Sequence, residues 1–247
     1  MSKLRTRLRD TTRRRPDAIG FAASRGASHQ PRQLLIIAEA ADEAAARAAL
    51  TAGADAILFT GPPAAAAPIV AAAAGVPVGI RLPAASAADT AALATAGVDF
   101  LLTGDEHTEA AALLDNRLGY VLAATDHSDD GLRLLRPLML DAVALPAPAP
   151  QLTVRDQLRL RRLGDLARKP MLALATPGAP ISAVALELWR DAGVLGVIAS
   201  AFPPAELAAL IAAASAVPPP RASNERTDAI IPAMPQSHGD DDDEDRR

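Results

Sequence analysis

Nine side chains able to take part in chemistry stand just after, or at the end of, short apolar runs: Glu39, Thr60, Arg81, Thr103, Asp105, Asp126, His127, Thr176 and Ser200. Glu39 closes the run Leu34 to Ala38, where burial would raise its pKa and suit it to accept a proton. The same carboxylate could equally pair with Arg81 or act as a solvated first-turn acid. Arg81 interrupts an otherwise apolar strand. A planar guanidinium there suits a carboxylate or phosphate, and it is also the natural counter-ion of Glu39 or Asp105. Asp126 and His127 offer an acid–base pair, or, with Glu39 and Asp105, an oxygen-rich site for Mg²⁺ or Mn²⁺. The stretch Thr125 to Gly131 reads as an ordinary helix-capping loop as well, because Asp and Ser are what such loops need. Thr60, Thr103, Thr176 and Ser200 supply hydroxyls for binding a substrate. His107 reads as a surface residue at a helix start, while His29 and His238 lie outside the repeating part of the chain.

Absences narrow the chemistry further. The 247 residues include no cysteine, which removes disulfides, thiolate nucleophiles and thiol-bound metals together. Neither of the two lysines, Lys3 and Lys169, follows an apolar run, so a Schiff base has no residue to form on. Phosphate-cradling glycine motifs are missing, and no serine has a nucleophile-elbow context. What is left is acid–base or metal-assisted chemistry on a small anionic molecule, of lyase or isomerase type. The sequence itself requires no cofactor.

The elements that must position these groups come from an internal repeat. An apolar run opens after proline or glycine, an alanine-rich helical stretch follows, and a second apolar run closes the unit. Three copies run from Pro31 to Gly61, Pro77 to Gly104 and Pro170 to Ser200, and a degraded fourth leads from Gly119 to Leu145. From the opening proline to the Ala-Gly glycine the spacing is 22, 20 and 23 residues. Asp42, Ser86 and Ser182 are helix N-cap types, and Gly53, Gly97 and Gly193 suit a left-handed helix end. Runs such as Ile57-Leu-Phe are continuously apolar, as parallel strands covered on both faces must be. Four βαβ units with linking helices near Ala64 to Ala74, Thr108 to Asn116, Thr153 to Ala167 and Pro204 to Ala216 give eight strands and eight helices.

Nothing marks a reversal of strand order, so the near-equal repeats predict a closed (β/α)8 barrel, which leaves no sheet edge. Residues Pro31 to Val217 number 187, about 23 per unit, so the loops must be short and the mouth shallow. The expected organisation is a basic N-terminal helix and connecting segment (1–30), the barrel (31–217) and a disordered Pro/Asp-rich tail (218–247). Leu4 and Leu8 are four apart, which predicts a short helix laid over one end of the barrel with its arginines in water. The tail ends in the run Asp240 to Asp245, whose like charges repel one another.

The phrase Ala-Gly-x-Asp followed by three apolar residues and Thr-Gly, at Ala52 to Gly61 and in near form at Ala96 to Gly104, resembles the aldolase-type barrels. The likeness is greatest to the phosphate-binding group that includes sugar-phosphate epimerases, indole-glycerol-phosphate synthases and keto-sugar-phosphate decarboxylases. It covers the barrel and is one of architecture. The decarboxylases' Asp-x-Lys-x-x-Asp signature is absent, and the loops in place of their glycine-rich phosphate cradle read Thr176-Pro-Gly-Ala-Pro180 and Ser200-Ala-Phe-Pro203. The repeated Asp55 and Asp99 precede their strands and so read as helix-to-strand loop residues rather than catalysts.

Partners follow from charge. The seven basic residues before Pro16 lack interleaved aromatics for stacking bases, which argues against nucleic acid. No apolar run is long enough for a signal peptide or a bilayer span, so the chain reads as soluble and cytoplasmic, with a small anionic molecule as ligand and room for a homo-oligomer. Arg155, Arg159 and Arg162 share a helical spacing opposite Val154, Leu158 and the Leu163/Leu166 edge. That face reads as solvated, or as a dock for an acidic partner or the chain's own tail. A catalytically silent barrel serving as a scaffold is the second functional reading.

Overall fold

The computed structural model describes residues 2–12 and 32–220. Eight strands form a closed, all-parallel barrel in sequential order: β1 (Leu35–Ala40), β2 (Ala56–Phe59), β3 (Val78–Leu82), β4 (Phe100–Gly104), β5 (Gly119–Ala123), β6 (Ala142–Pro146), β7 (Met171–Ala175) and β8 (Val194–Ala199). β8 closes on β1 through the register Leu35 to Gly196, Ile37 to Ile198. The helices are α1 (Lys3–Thr12), α2 (Glu43–Ala52), α3 (Ala66–Ala72), α4 (Ala87–Thr95), α5 (Asp129–Leu134), α6 (Val154–Ala167), α7 (Ala183–Asp191) and α8 (Pro204–Ser215).

Local chemistry starts and stops the helices where the repeat implies. The side chains of Asp42, Ser86, Thr153 and Ser182 accept from the backbone N–H groups of Ala45, Asp89, Asp156 and Ala185, satisfying donors that the first turn would otherwise orphan. Gly53 (φ 98°), Gly97 (φ 82°) and Gly193 (φ 101°) take the left-handed conformation that ends each helix. The connection after β4 departs from the expected helix. Ala110–Leu114 is a 3-10 segment, and Glu109 before it makes no cap bond. The Glu109 carboxylate accepts instead from Ala87 N–H on α4, and the Tyr120 hydroxyl bonds the carbonyls of Ala112 and Asp115, which end the segment after one turn.

The continuous apolar runs are divided between two cores. Ile36, Ile57, Phe59, Ile80, Leu101 and Trp189 belong to the layer between sheet and helices, while Ile37, Leu58, Phe100, Leu102, Val121, Leu172 and Ile198 fill the barrel interior. Phe100 occupies the space that Gly79, its register neighbour, leaves open; a Cβ at Gly79 would overlap its ring. Leu4 and Leu8 of α1 join this interior cluster and are buried, so α1 plugs the N-terminal end of the barrel.

Lys3, Arg9 and Asp10 of α1 are exposed as expected, but Arg5 and Arg7 turn onto the barrel. Asp99, just before β4, accepts from the backbone N–H groups of Lys3 (2.7 Å) and Leu4 (2.9 Å) and from the Ser2 hydroxyl (3.0 Å), and so caps the helix from outside its own sequence. Arg5 pairs with Asp141 before β6, and the Arg7 guanidinium donates to the carbonyl of Asp55 before β2. The corresponding position in the Pro170 to Ser200 unit is Leu195, so the acidic collar is three-quarters complete. His29, His238, Arg13 to Arg15 and the acidic run lie outside the described residues, as does the predicted tail from 221 on.

Candidate active site

Strand alternation selects which of the nine candidates share a space. On β1 the interior residues are Leu35 and Ile37, and Glu39 continues that parity at the C-terminal rim; on β3 Arg81 follows Gly79 in the same way. The two meet across the mouth. Arg81 Nη2 stands 2.7 Å from Glu39 Oε1 and 3.2 Å from Ser200 Oγ, to which it donates. The second oxygen, Glu39 Oε2, accepts from Ala201 N–H at 3.1 Å. Ala201 sits just past β8 with φ 55°, and this left-handed backbone accompanies an amide aimed at the carboxylate.

Burial divides the pair's roles. The Glu39 side chain is 9% exposed and that of Arg81 35%, so the carboxylate is sunk in the barrel and the guanidinium stands above it, half in solvent. Oε1 lies within ion-pair distance of Nη2 yet has no partner in hydrogen-bond alignment. The two observations agree on a Coulombic contact whose best acceptor direction is unused. Arg81 has more donors than Glu39 and Ser200 take up, so one edge of its fork is available to an incoming anion.

The other candidates scatter. Thr60 and Thr176, at the ends of β2 and β7, are exposed, and Thr60 N–H donates to Ala40 O at 3.0 Å. Thr103 is buried on the opposite parity from Leu102; its hydroxyl meets that of Thr108 at 2.6 Å, away from the interior. Asp105 accepts from the backbone N–H and hydroxyl of Thr125. The Asp126 carboxylate accepts from Ser128 N–H (2.8 Å) and Oγ (3.0 Å), and these bonds hold its pKa below the ordinary carboxylate value. Asp126 therefore serves the start of α5. His127 is half-buried, and its Nε2 is buried without a hydrogen-bond partner.

Among the described residues no group of three or more His, Asp or Glu side chains is placed to hold a metal ion. The oxygen set expected from Glu39, Asp105 and Asp126 does not converge, since each carboxylate is committed to a different neighbour. Ala201 N–H is the contributor that sequence reasoning missed. The alternation of β4 could have removed Thr103 in advance, because Phe100 and Leu102 fix the interior parity.

No family model matches the sequence, and no curated protein matches it. Solved structures do. The chain is similar to 2,3-dimethylmalate lyase, a PEP mutase/isocitrate lyase superfamily member (20% identity over 73% of this chain and 79% of that one, TM-score 0.50). It is similar also to a protein described as a phosphonomutase from Burkholderia cenocepacia J2315 (17%, 75% and 93%, TM-score 0.53) and to oxaloacetate acetylhydrolase (16%, 72% and 79%, TM-score 0.52). At these identities the likeness is one of fold, and it is the aldolase-type barrel read from the repeat. No helix among the described residues is long and apolar enough to cross a membrane.

Proposed function

We propose that the chain is a small barrel enzyme of lyase or isomerase type that binds a small anionic substrate on Arg81 and moves a proton with Glu39. One observation carries the reading: a buried carboxylate and a half-exposed guanidinium, from strands two apart, meet 2.7 Å from each other at the C-terminal rim, the end where barrels of this fold keep their sites. The fold neighbours named for dimethylmalate and oxaloacetate act on carboxylates, which suits a single guanidinium fork.

An anion arriving on the free edge of Arg81 shares its positive charge, and the Glu39 carboxylate loses part of its counter-ion. The carboxylate is then the base placed to take a proton from a substrate C–H or O–H held on Arg81. Ala201 N–H keeps Oε2 fixed, so proton exchange falls to Oε1, the buried oxygen beside Arg81. Ser200 orients the guanidinium. Asp126 and His127 can assist only if the loop after β5 turns His127 toward the rim. No step runs through a metal, because the donor set does not assemble.

Titration calorimetry with malonate, oxaloacetate, pyruvate and inorganic phosphate tests this. At least one should bind, Arg81→Ala should weaken it by roughly tenfold or more, about 1.4 kcal/mol, and Glu39→Gln should keep binding while abolishing proton exchange into the bound acid. If both variants bind every probe as the wild type does, the reading is wrong.

A further inference from the structure

A second site of charge lies at the opposite end of the molecule. Arg161, Asp165, Arg168 and Lys169, with Asp191 and Leu195, line a depression of 510 Å³ beside the C-terminal end of α6. Arg161 and Arg168 are exposed, and neither guanidinium has an ion-pair or hydrogen-bond partner among the described residues. Of the two acids there, Asp191 is already held by Arg190 at 2.6 Å, which leaves the depression with surplus positive charge. The same face of α6 carries Val154 (75% exposed) and Leu158 (61% exposed), at the spacing that puts 154, 158, 161, 165 and 168 in one stripe. The expected polarity of α6 holds in part: Leu163 and Leu166 pack against the core beside buried Leu160 and Ala167, whereas Val154 and Leu158 share the surface with the arginines. Arg162, one of the three expected on a free basic face, pairs with Asp129 of α5.

We infer that the chain's own acidic segment, Asp240 to Asp245, docks on this depression. Three observations select that occupant. Its charges oppose those of Arg161 and Arg168. It is preceded by an apolar stretch, Ala229 to Met234, as the basic end of the stripe is preceded by Val154 and Leu158. The chain also leaves the described residues beside the site: Arg190, which grips Asp191 in the lining, donates to the carbonyl of Pro218. Twenty residues from Pro220 to Asp240 reach at most about 65 Å, some three times the roughly 21 Å length of α6, so distance sets no barrier. The docked segment shields the two unpaired guanidinia, and the apolar stretch before it covers Val154 and Leu158.

The chain has no cysteine, so Gly239→Cys in the full-length protein gives a single attachment point for a nitroxide label. The amides of Gly164, Gly193 and Leu195 should relax roughly threefold faster than in the diamagnetic control, an effect lost near 1 M salt, where screening is complete within about 3 Å. Arg161→Glu with Arg168→Glu should abolish it while the mouth amides of Thr60 and Ser200 keep their shifts, reporting an intact barrel. Broadening centred on Lys3–Thr12 would move the acidic segment to the basic head and overturn the assignment. Broadening that disappears on dilution would assign it to a second copy, and uniform broadening would mean no dock at all.

Discussion

Six aspartates at the two ends of the barrel bury and bond their carboxylates in opposite ways. At the plugged end Asp55, Asp99 and Asp141 meet α1, and burial pushes the carboxyls of Asp55 and Asp141 above their ordinary value despite nearby arginines. At the mouth end Asp89 and Asp126 are exposed and Asp156 is half-exposed, and bonds from Ser86, Ser128 and Thr153 hold them below it. The same residue type thus has its ionised form opposed at one end and favoured at the other. The difference teaches that charge near a barrel rim marks a site only where the structure leaves it unspent. Glu39 and Arg81 meet that condition; the acids of the repeated phrase do not.

Three measurements probe the contrast. Leu4→Ala empties a fully buried position in the plug and should lower unfolding free energy by about 3 kcal/mol in urea denaturation, without altering anion binding at the mouth. A loss of binding there would show that the ends are coupled. Asp99→Ala removes the external cap of α1 and should cost about 1–2 kcal/mol, read by the same denaturation. Retained stability would mean that packing alone seats the helix.

The smallest effect is in pH. Asp89 and Asp156 have lowered folded-state pKa values, so their contribution is present above 3.8 and is lost as pH falls through the lowered values. Asp141 has the opposite sign: with its folded value raised, the protonated form favours the fold, and that advantage fades as pH rises from 3.8 through the raised value. Asp89→Asn should therefore lower Tm slightly at pH 7 and not at pH 2, and Asp141→Asn should flatten the opposing slope. Parallel pH profiles for the two variants would erase the contrast.

Most of the barrel was legible because helix starts and stops are local. Asp42, Ser86 and Ser182 announce caps, and Gly53, Gly97 and Gly193 announce ends, with no knowledge of what they pack against. Glu39 and Arg81 were legible for a related reason, since a charge within an apolar strand is conspicuous and strand parity turns it inward. The failures came where a distant residue decides. Tyr120 ends the segment after β4, Asp99 takes the first α1 amides and Asp141 the Arg5 guanidinium from more than ninety positions away, and the exposure of Val154 and Leu158 depends on how α6 lies against its neighbours. Sequence spacing carries none of that.

The way α1 is held has a consequence for how the molecule comes into being. Its grips come from the loops before β2, β4 and β6, and it contacts β8, whose Ile198 shares the interior cluster with its leucines, so a segment made early by the ribosome has no complete seat until the last strand has emerged. Until then Leu4 and Leu8 are greasy and homeless on a nascent chain, and the final insertion of β8 and the seating of this stopper become a single late event.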